Sequence, residues 1–173
     1  VGIFTNMTQD HLDFHQTFEN YLEAKTKLFQ LISLGEFHKE GKTAIVNVDD
    51  PAGQSILKKT LCKAITYGMN QQANLMAYQP KVEAAGVQFI AVGDFGQVPL
   101  QLKITGKFNV YNVLAAIGGA LAEGIQMEVI RRALENFTSV PGRFELVQAG
   151  QNYSVIVDYA HTPDGLENIL KTA

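Results

Sequence analysis

The 173-residue chain has a single cysteine, Cys62, so it has no internal disulfide and no scaffold of staples. No stretch approaches the roughly 20 consecutive apolar residues that a membrane-spanning helix requires, and Val1 to Asp10 lacks the charged and apolar regions of an export signal. The 14 basic residues are dispersed and the net charge is −3, so the electrostatic footprint of a nucleic-acid binder is missing. Internal repeats and low-complexity segments are absent. A phosphate-binding loop is missing too. Gly41-Lys42-Thr43 has its ending, but no glycine stands five residues before Gly41.

What remains is an ordinary globular composition. With 46% hydrophobic residues the chain can bury one good core and carry a second, smaller piece. Both ends read as cut: Val1 opens inside the apolar strand-like VGIF, and Ala173 stops within a helical pattern of Leu166, Ile169 and Leu170.

The fold class expected is α/β. Strand patterns occur at Val1–Phe4, Thr43–Val48, Ala64–Tyr67, Leu75–Val82, Val87–Val92, Val98–Ile104, Glu145–Ala149 and Tyr153–Asp158. Helical patterns cover Thr17–Leu34, Asp50–Leu61 with Pro51 at its start, Val110–Glu123 and Met127–Phe137. Strand and helix alternate up to Gly68, which predicts a mostly parallel sheet with crossover helices. From Leu75 to Ile104 consecutive strands bend at Gly86, Gly93 and Gly96, which predicts an antiparallel meander on the sheet edge. Thr138 to Arg143 (TSVPGR) breaks both helix and strand and is the linker expected between a domain of residues 1–141 and a second beginning at 142–173.

One lysine is out of place. Along Thr17–Leu34, the positions Phe18, Tyr21, Leu22, Leu28, Phe29 and Ile32 recur at steps of three and four, and Lys25 falls among them while Lys27 points away. A lysine on an apolar stripe snorkels, finds a carboxylate or gives up its charge. A neutral amine can add carbon dioxide and become a carbamate, an anionic oxygen ligand of the kind magnesium accepts. Asp10, His11, Asp13 and His15 lie just upstream. His11 and His15 also match an HxxxH zinc pair, though no glutamate follows His11 and a third ligand would be needed, and His15 also reads as a plain loop residue; Asp10 and Asp13 read most simply as turn or capping residues.

Asn109 and Asn112 are three apart at the start of a helix, placing both amides on one face near its N-terminus, to cap it or to meet a base or phosphate. Arg143 follows a Pro-Gly turn and Asp158 closes the strand Val155–Val157. Those two residues suit either ribose and phosphate contacts or a structural ion pair. His161 follows closely. Gly93–Gly96 (GDFG) looks like a kinase metal motif, but without an HRD segment it reads as a hairpin turn.

Four segments, in order, resemble one family. TNMTQDHLDFH with ENYLEAKTKLF, then GKFNVYN (106–112), VPGRFE (140–145) and VDYAHTPD (157–164), are similar to the central domain of the peptidoglycan Mur ligases, in particular the branch that adds the third residue of the stem peptide. The resemblance implies a central ATPase domain joined to the opening of a Rossmann-like C-terminal domain. It implies an ATP-dependent ligase that activates a carboxylate as an acyl phosphate and couples it to an amine. The expected substrates are UDP-N-acetylmuramoyl-L-alanyl-D-glutamate and diaminopimelate or lysine. Carried over residue by residue, His11 and carbamylated Lys25 would be catalytic and hold Mg2+, while Asn109, Asn112, Arg143, Asp158 and His161 would contact ATP. A cytoplasmic monomer, without nucleic acid or membrane insertion, is the matching expectation. The phosphate loop would precede Val1, so the segment by itself is expected to be inactive. Folylpolyglutamate or cyanophycin synthetase, and a non-catalytic relative of the same fold, are the alternatives.

Overall fold

A computed structural model describes residues 1–8, 12–34, 41–83, 85–138, 140–147 and 149–172 of the chain. Its elements in order are β1 (Gly2–Phe4), α1 (Leu12–His15), α2 (Phe18–Leu34), β2 (Thr43–Asn47), α3 (Pro51–Lys58), β3 (Lys63–Gly68), β4 (Leu75–Glu83), β5 (Gly86–Gly93), β6 (Gly96–Leu102), α4 (Lys107–Ala122), α5 (Met127–Asn136), β7 (Glu145–Val147), β8 (Val155–Val157) and α6 (Pro163–Thr172). Strands β1 to β6 form one sheet in that order, and β7 pairs with β8 in a second, antiparallel one.

The expected mostly parallel sheet with an antiparallel edge is observed. β1, β2, β3 and β4 pair in parallel and β4, β5 and β6 antiparallel. The β3–β4 pair has no crossover helix because β4 overlaps only the last two residues of β3, Tyr67↔Leu75 and Gly68↔Met76. The chain does not return to the start of β3; it side-steps and carries on in the same direction. The side-step is held by Asn74, whose Oδ1 accepts from the Thr66 backbone N–H at 2.9 Å and hydroxyl at 2.8 Å.

Helices cover both faces. Every residue of β2 is buried, and alternation sends Ala44 and Val46 to one face and Ile45 to the other. On the first face α2 and α3 supply Tyr21, Phe29, Ala52 and Ile56; on the second α4 and α5 supply Val110, Leu114, Ile117 and Ile130. Fully burying side chains of this size stabilises by about 1.5–3 kcal/mol each. α4 approaches closely because residue 118 is glycine: a Cβ there would lie 2.7 Å from Ile45 Cγ2. The small residues of α4 are therefore packing devices. Ser33 links α2 to the approach of β3, accepting from the Leu61 and Cys62 backbone N–H groups at 2.9 and 3.2 Å.

α2 departs from its expected stripe. Tyr21, Phe29 and Ile32 are buried as anticipated and Thr26 joins them by donating its hydroxyl to Leu22 O at 2.7 Å, but Phe18 and Leu28 are 41% and 44% exposed. Phe18 is the first helical residue, at the end of the stripe, and Leu28 sits on its flank. No helix among the described residues is long and apolar enough to cross a membrane.

Candidate functional site

A cleft of about 1150 Å³ opens where the carboxyl ends of β1, β2 and β8 face the first turns of α4. Carboxyl ends of strands are where open α/β sheets bind ligands, because the chain leaves the sheet there and backbone groups are freed. Thr5 and Asn6 follow β1; Asn47 ends β2, and Asp49 and Asp50 follow it; Lys107, Phe108, Asn109, Tyr111 and Asn112 belong to the start of α4; Arg143 and Asp158 to Thr162 enter from the second sheet.

Asn109, Asn112, Arg143, Asp158 and His161 all line this cleft. The two asparagines form a chain. Asn109 Nδ2 donates to Thr105 O at 2.7 Å, and Asn112 Nδ2 donates to Asn109 Oδ1 at 3.1 Å. With the Thr105 carbonyl fixing which end of Asn109 is nitrogen, Asn112 presents its own carbonyl oxygen outward as an acceptor. Asn109 thus secures the helix start, and Asn112 is exposed and lines the cleft.

Asp158 accepts from the backbone N–H of Phe144 and of Ala160, each at 2.7 Å. Arg143 stacks its guanidinium over the Tyr159 ring, 4.9 Å from the centroid. The structural ion pair between Arg143 and Asp158 is therefore not what forms: each carboxylate oxygen takes one backbone N–H and keeps capacity for a further donor, and the cation rests on an aromatic face. His161 Nδ1 lies 3.0 Å from Tyr159 O. A carbonyl only accepts, so Nδ1 carries the hydrogen of this bond.

Asp49 is the most connected carboxylate in the cleft. It accepts from the backbone N–H groups of Met69 at 2.6 Å, Asn70 at 3.0 Å and Gln71 at 2.9 Å, and from the Tyr111 hydroxyl at 2.9 Å. Burial raises its pKa, but the four donors outweigh burial and hold it below its ordinary value. Burial pushes Tyr111 upward, and its bond to the Asp49 carboxylate pushes further in the same direction. Gly68 makes room: a Cβ there would sit 2.8 Å from Asp49 Oδ1. Asp50 caps α3 through the Ala52 N–H at 2.8 Å and holds the Met7 N–H at 2.9 Å, tying the segment after β1 to the same corner.

Asn47, Asp49, Lys107 and Tyr111 escaped the sequence reading. NVDD (47–50) at the end of a strand that is apolar on both faces is the signal that could have found the aspartates, by the strand-end rule that singled out Asp158. Nothing in the local sequence marks Tyr111 as their partner.

Lys25 does not line the cleft. Its ammonium lies over the Tyr21 ring, 4.8 Å from the centroid, a cation–π contact that was not among the expected routes of snorkelling, carboxylate pairing or neutralisation. His15 stacks on the same Tyr21 at 4.8 Å. Asp10 and His11 lie outside the described residues, as does the Asp13 side chain. Among the described residues no group of three or more His, Cys, Asp or Glu is placed to hold a metal. An ammonium offers magnesium no ligand, so Lys25 as described does not hold that ion.

The model of the Mur ligase middle domain matches residues 1–120. The chain belongs to the Mur ligase family. The UDP-N-acetylmuramoyl-L-alanyl-D-glutamate--2,6-diaminopimelate ligase of Clostridium botulinum (strain ATCC 19397 / Type A) is 48% identical to this Mur ligase chain, the match covering 99% of the chain and 34% of the relative. The enzyme of the same name from Bacillus cereus (strain ATCC 14579) is 45% identical over 100% of the chain and 35% of the relative. The chain thus spans about a third of the length of these curated relatives. The crystal structure of MurF from Acinetobacter baumannii superposes with a TM-score of 0.86 at 22% identity, covering 99% of this chain and 37% of that one, a likeness of fold.

Proposed function

We propose that the cleft is the adenine-nucleotide side of an ATP-dependent amide ligase of peptidoglycan precursor synthesis, with residues 1–141 forming the ATPase domain and 142–173 the start of a second domain that completes the site. The reaction proposed for the whole protein joins diaminopimelate to UDP-N-acetylmuramoyl-L-alanyl-D-glutamate, the reaction in the names of relatives 45–48% identical over essentially all of the chain. A cytoplasmic location belongs to the same reading. The observation that carries it is convergence: residues from α4, the 140–143 turn and the end of β8, distant in sequence, meet in one cleft of about 1150 Å³. That volume is somewhat above the roughly 300–1,000 Å³ usual for small-ligand sites, so a nucleotide is not too large for it.

In this reading Asn112 accepts from the base, Asp158 accepts from ribose hydroxyls, and Arg143 and Lys107 place positive charge toward the phosphates. The carboxylate of the nucleotide-linked dipeptide attacks the γ-phosphorus, giving an acyl phosphate and ADP. The incoming amine then attacks the carbonyl carbon, the bond from that carbon to the phosphate oxygen breaks, and amide, phosphate and a proton leave. Such chemistry depends on alignment and on neutralising phosphate charge. Magnesium enters the proposal only with Lys25 converted to a carbamate, which would supply the anionic oxygen that the ammonium lacks.

The test is a coupled phosphate-release assay on the full-length enzyme, with the amide product confirmed by mass. Asn112→Ala and Asp158→Ala are expected to raise KM for ATP about tenfold each, the loss of about 1.4 kcal/mol apiece. Product formation without ATP, or variants with unaltered KM, would overturn the assignment.

A further inference from the structure

We propose that Asp49 and Tyr111 form a positioning pair that sets the Asn109–Asn112 amide row and, through it, the preference of the cleft for an adenine base. The inference rests on the nucleotide reading above and adds to it residues that do not themselves touch the base.

α4 starts without a side-chain cap: Gly106 precedes it and accepts no side-chain hydrogen bond to the first turn. What holds the first two turns on the cleft side is a set of longer tethers. Asn109 reaches back to Thr105 O, and Tyr111, between the two asparagines in sequence, reaches across to Asp49 on the β2 side. The Tyr111 hydroxyl is used twice, donating to Asp49 Oδ2 at 2.9 Å and accepting from Asn70 Nδ2 at 3.3 Å. Asp49 is fixed in turn by three backbone N–H groups of the loop between β3 and β4, and Gly68 leaves the space it needs. Its carboxylate is therefore an immobile post, and Tyr111 fastens the helix carrying the amides to it.

The chemistry of the amide row gives this placement a consequence. With Asn112 Nδ2 committed to Asn109 Oδ1, Asn112 offers an acceptor. Adenine carries an exocyclic amino group that donates; guanine has a carbonyl at the same ring position, which only accepts. An acceptor held in one place discriminates between them because the wrong base leaves two acceptors facing each other. An acceptor free to shift discriminates less. Tyr111 and Asp49 both line the cleft, so the tether is short and runs through no intermediate element.

The experiment compares full-length wild type and Tyr111→Phe with ATP and with GTP. The expected result is a KM for ATP raised roughly three- to tenfold, kcat within about twofold, and an ATP:GTP ratio of kcat/KM reduced by a similar three- to tenfold. A tyrosine that merely stabilised the fold would lower the active fraction and hence kcat, leaving KM and the ratio alone. Asp49→Asn is the second arm, and its effect on the ratio should be less than additive with that of Tyr111→Phe, since both cut one tether. Unchanged KM and ratio in Tyr111→Phe, with a wild type that uses ATP, overturns the positioning pair alone. A wild type that shows no use of ATP overturns the nucleotide reading and this inference with it.

Discussion

Replacing Asp49 by asparagine changes one oxygen to an amino group and nothing else in shape, so its cost can be worked from the four bonds. Oδ2 accepts from Met69 N, Asn70 N and Tyr111 OH, and Oδ1 from Gln71 N. The amide turns its remaining oxygen toward the three donors, and its amino group then faces the Gln71 N–H. One charge-assisted bond is lost, at about 1.5–3 kcal/mol, and three are weakened from charged to neutral acceptors. The expected loss of unfolding free energy is therefore at least about 2–3 kcal/mol near pH 7, read from urea denaturation with an unchanged slope. Acidity supplies the second half of the argument. The folded pKa of Asp49 lies below its ordinary value of 3.8, so its stabilisation is present in full above that value and disappears as pH falls through the folded pKa. The gap between wild type and variant should therefore hold from neutrality down to about pH 5 and close below pH 4. Equal midpoints at pH 7, or a gap that persists unaltered at pH 2.5, would refute the reasoning.

Three further outcomes follow from the same geometry. Gly118→Ala places a Cβ 2.7 Å from Ile45 Cγ2, and overpacking at this junction of α4 and the sheet should cost about 1–3 kcal/mol in urea unfolding. Phe29→Ala empties a side chain that is 2% exposed between α2 and the sheet, for an expected loss of about 3–5 kcal/mol by the same measurement. Lys25→Ala removes only a half-buried cation–π contact to Tyr21, so stability should change by less than about 1 kcal/mol, while turnover of the full-length enzyme should vanish if the carbamate proposal is right; mass measurement after trapping with carbon dioxide checks the adduct itself.

Element types were legible where pattern is long. The short apolar run in 43–48, the alternation in 87–92 and the turn glycines at 86, 93 and 96 carry their geometry in adjacent residues, and the strands and the β5–β6 turn formed where expected. α1, four residues long, is shorter than two helical turns and has no period to read. β7 and β8 are three residues each, shorter than the apolar runs containing them, because only the stretches that pair with each other count as strand. The cleft-lining Asn109, Asn112, Arg143, Asp158 and His161 were singled out through motifs, each local. Asp49 was missed because its partners lie 20 to 62 residues away and its neighbours only say that a helix is starting. Lys25 shows the opposite failure: its place on the stripe was read correctly, but a tyrosine one turn earlier was counted as core and not as a cation's partner.

The most direct measurement is photo-crosslinking of the full-length enzyme with 8-azido-ATP, followed by peptide mapping. The adduct is expected on residues 107–112, 140–143 or 158–162, the walls of the cleft, and excess ATP should abolish it. An ATP-protected adduct on α5 or on the β4–β6 meander, with those walls unlabelled, would contradict the account.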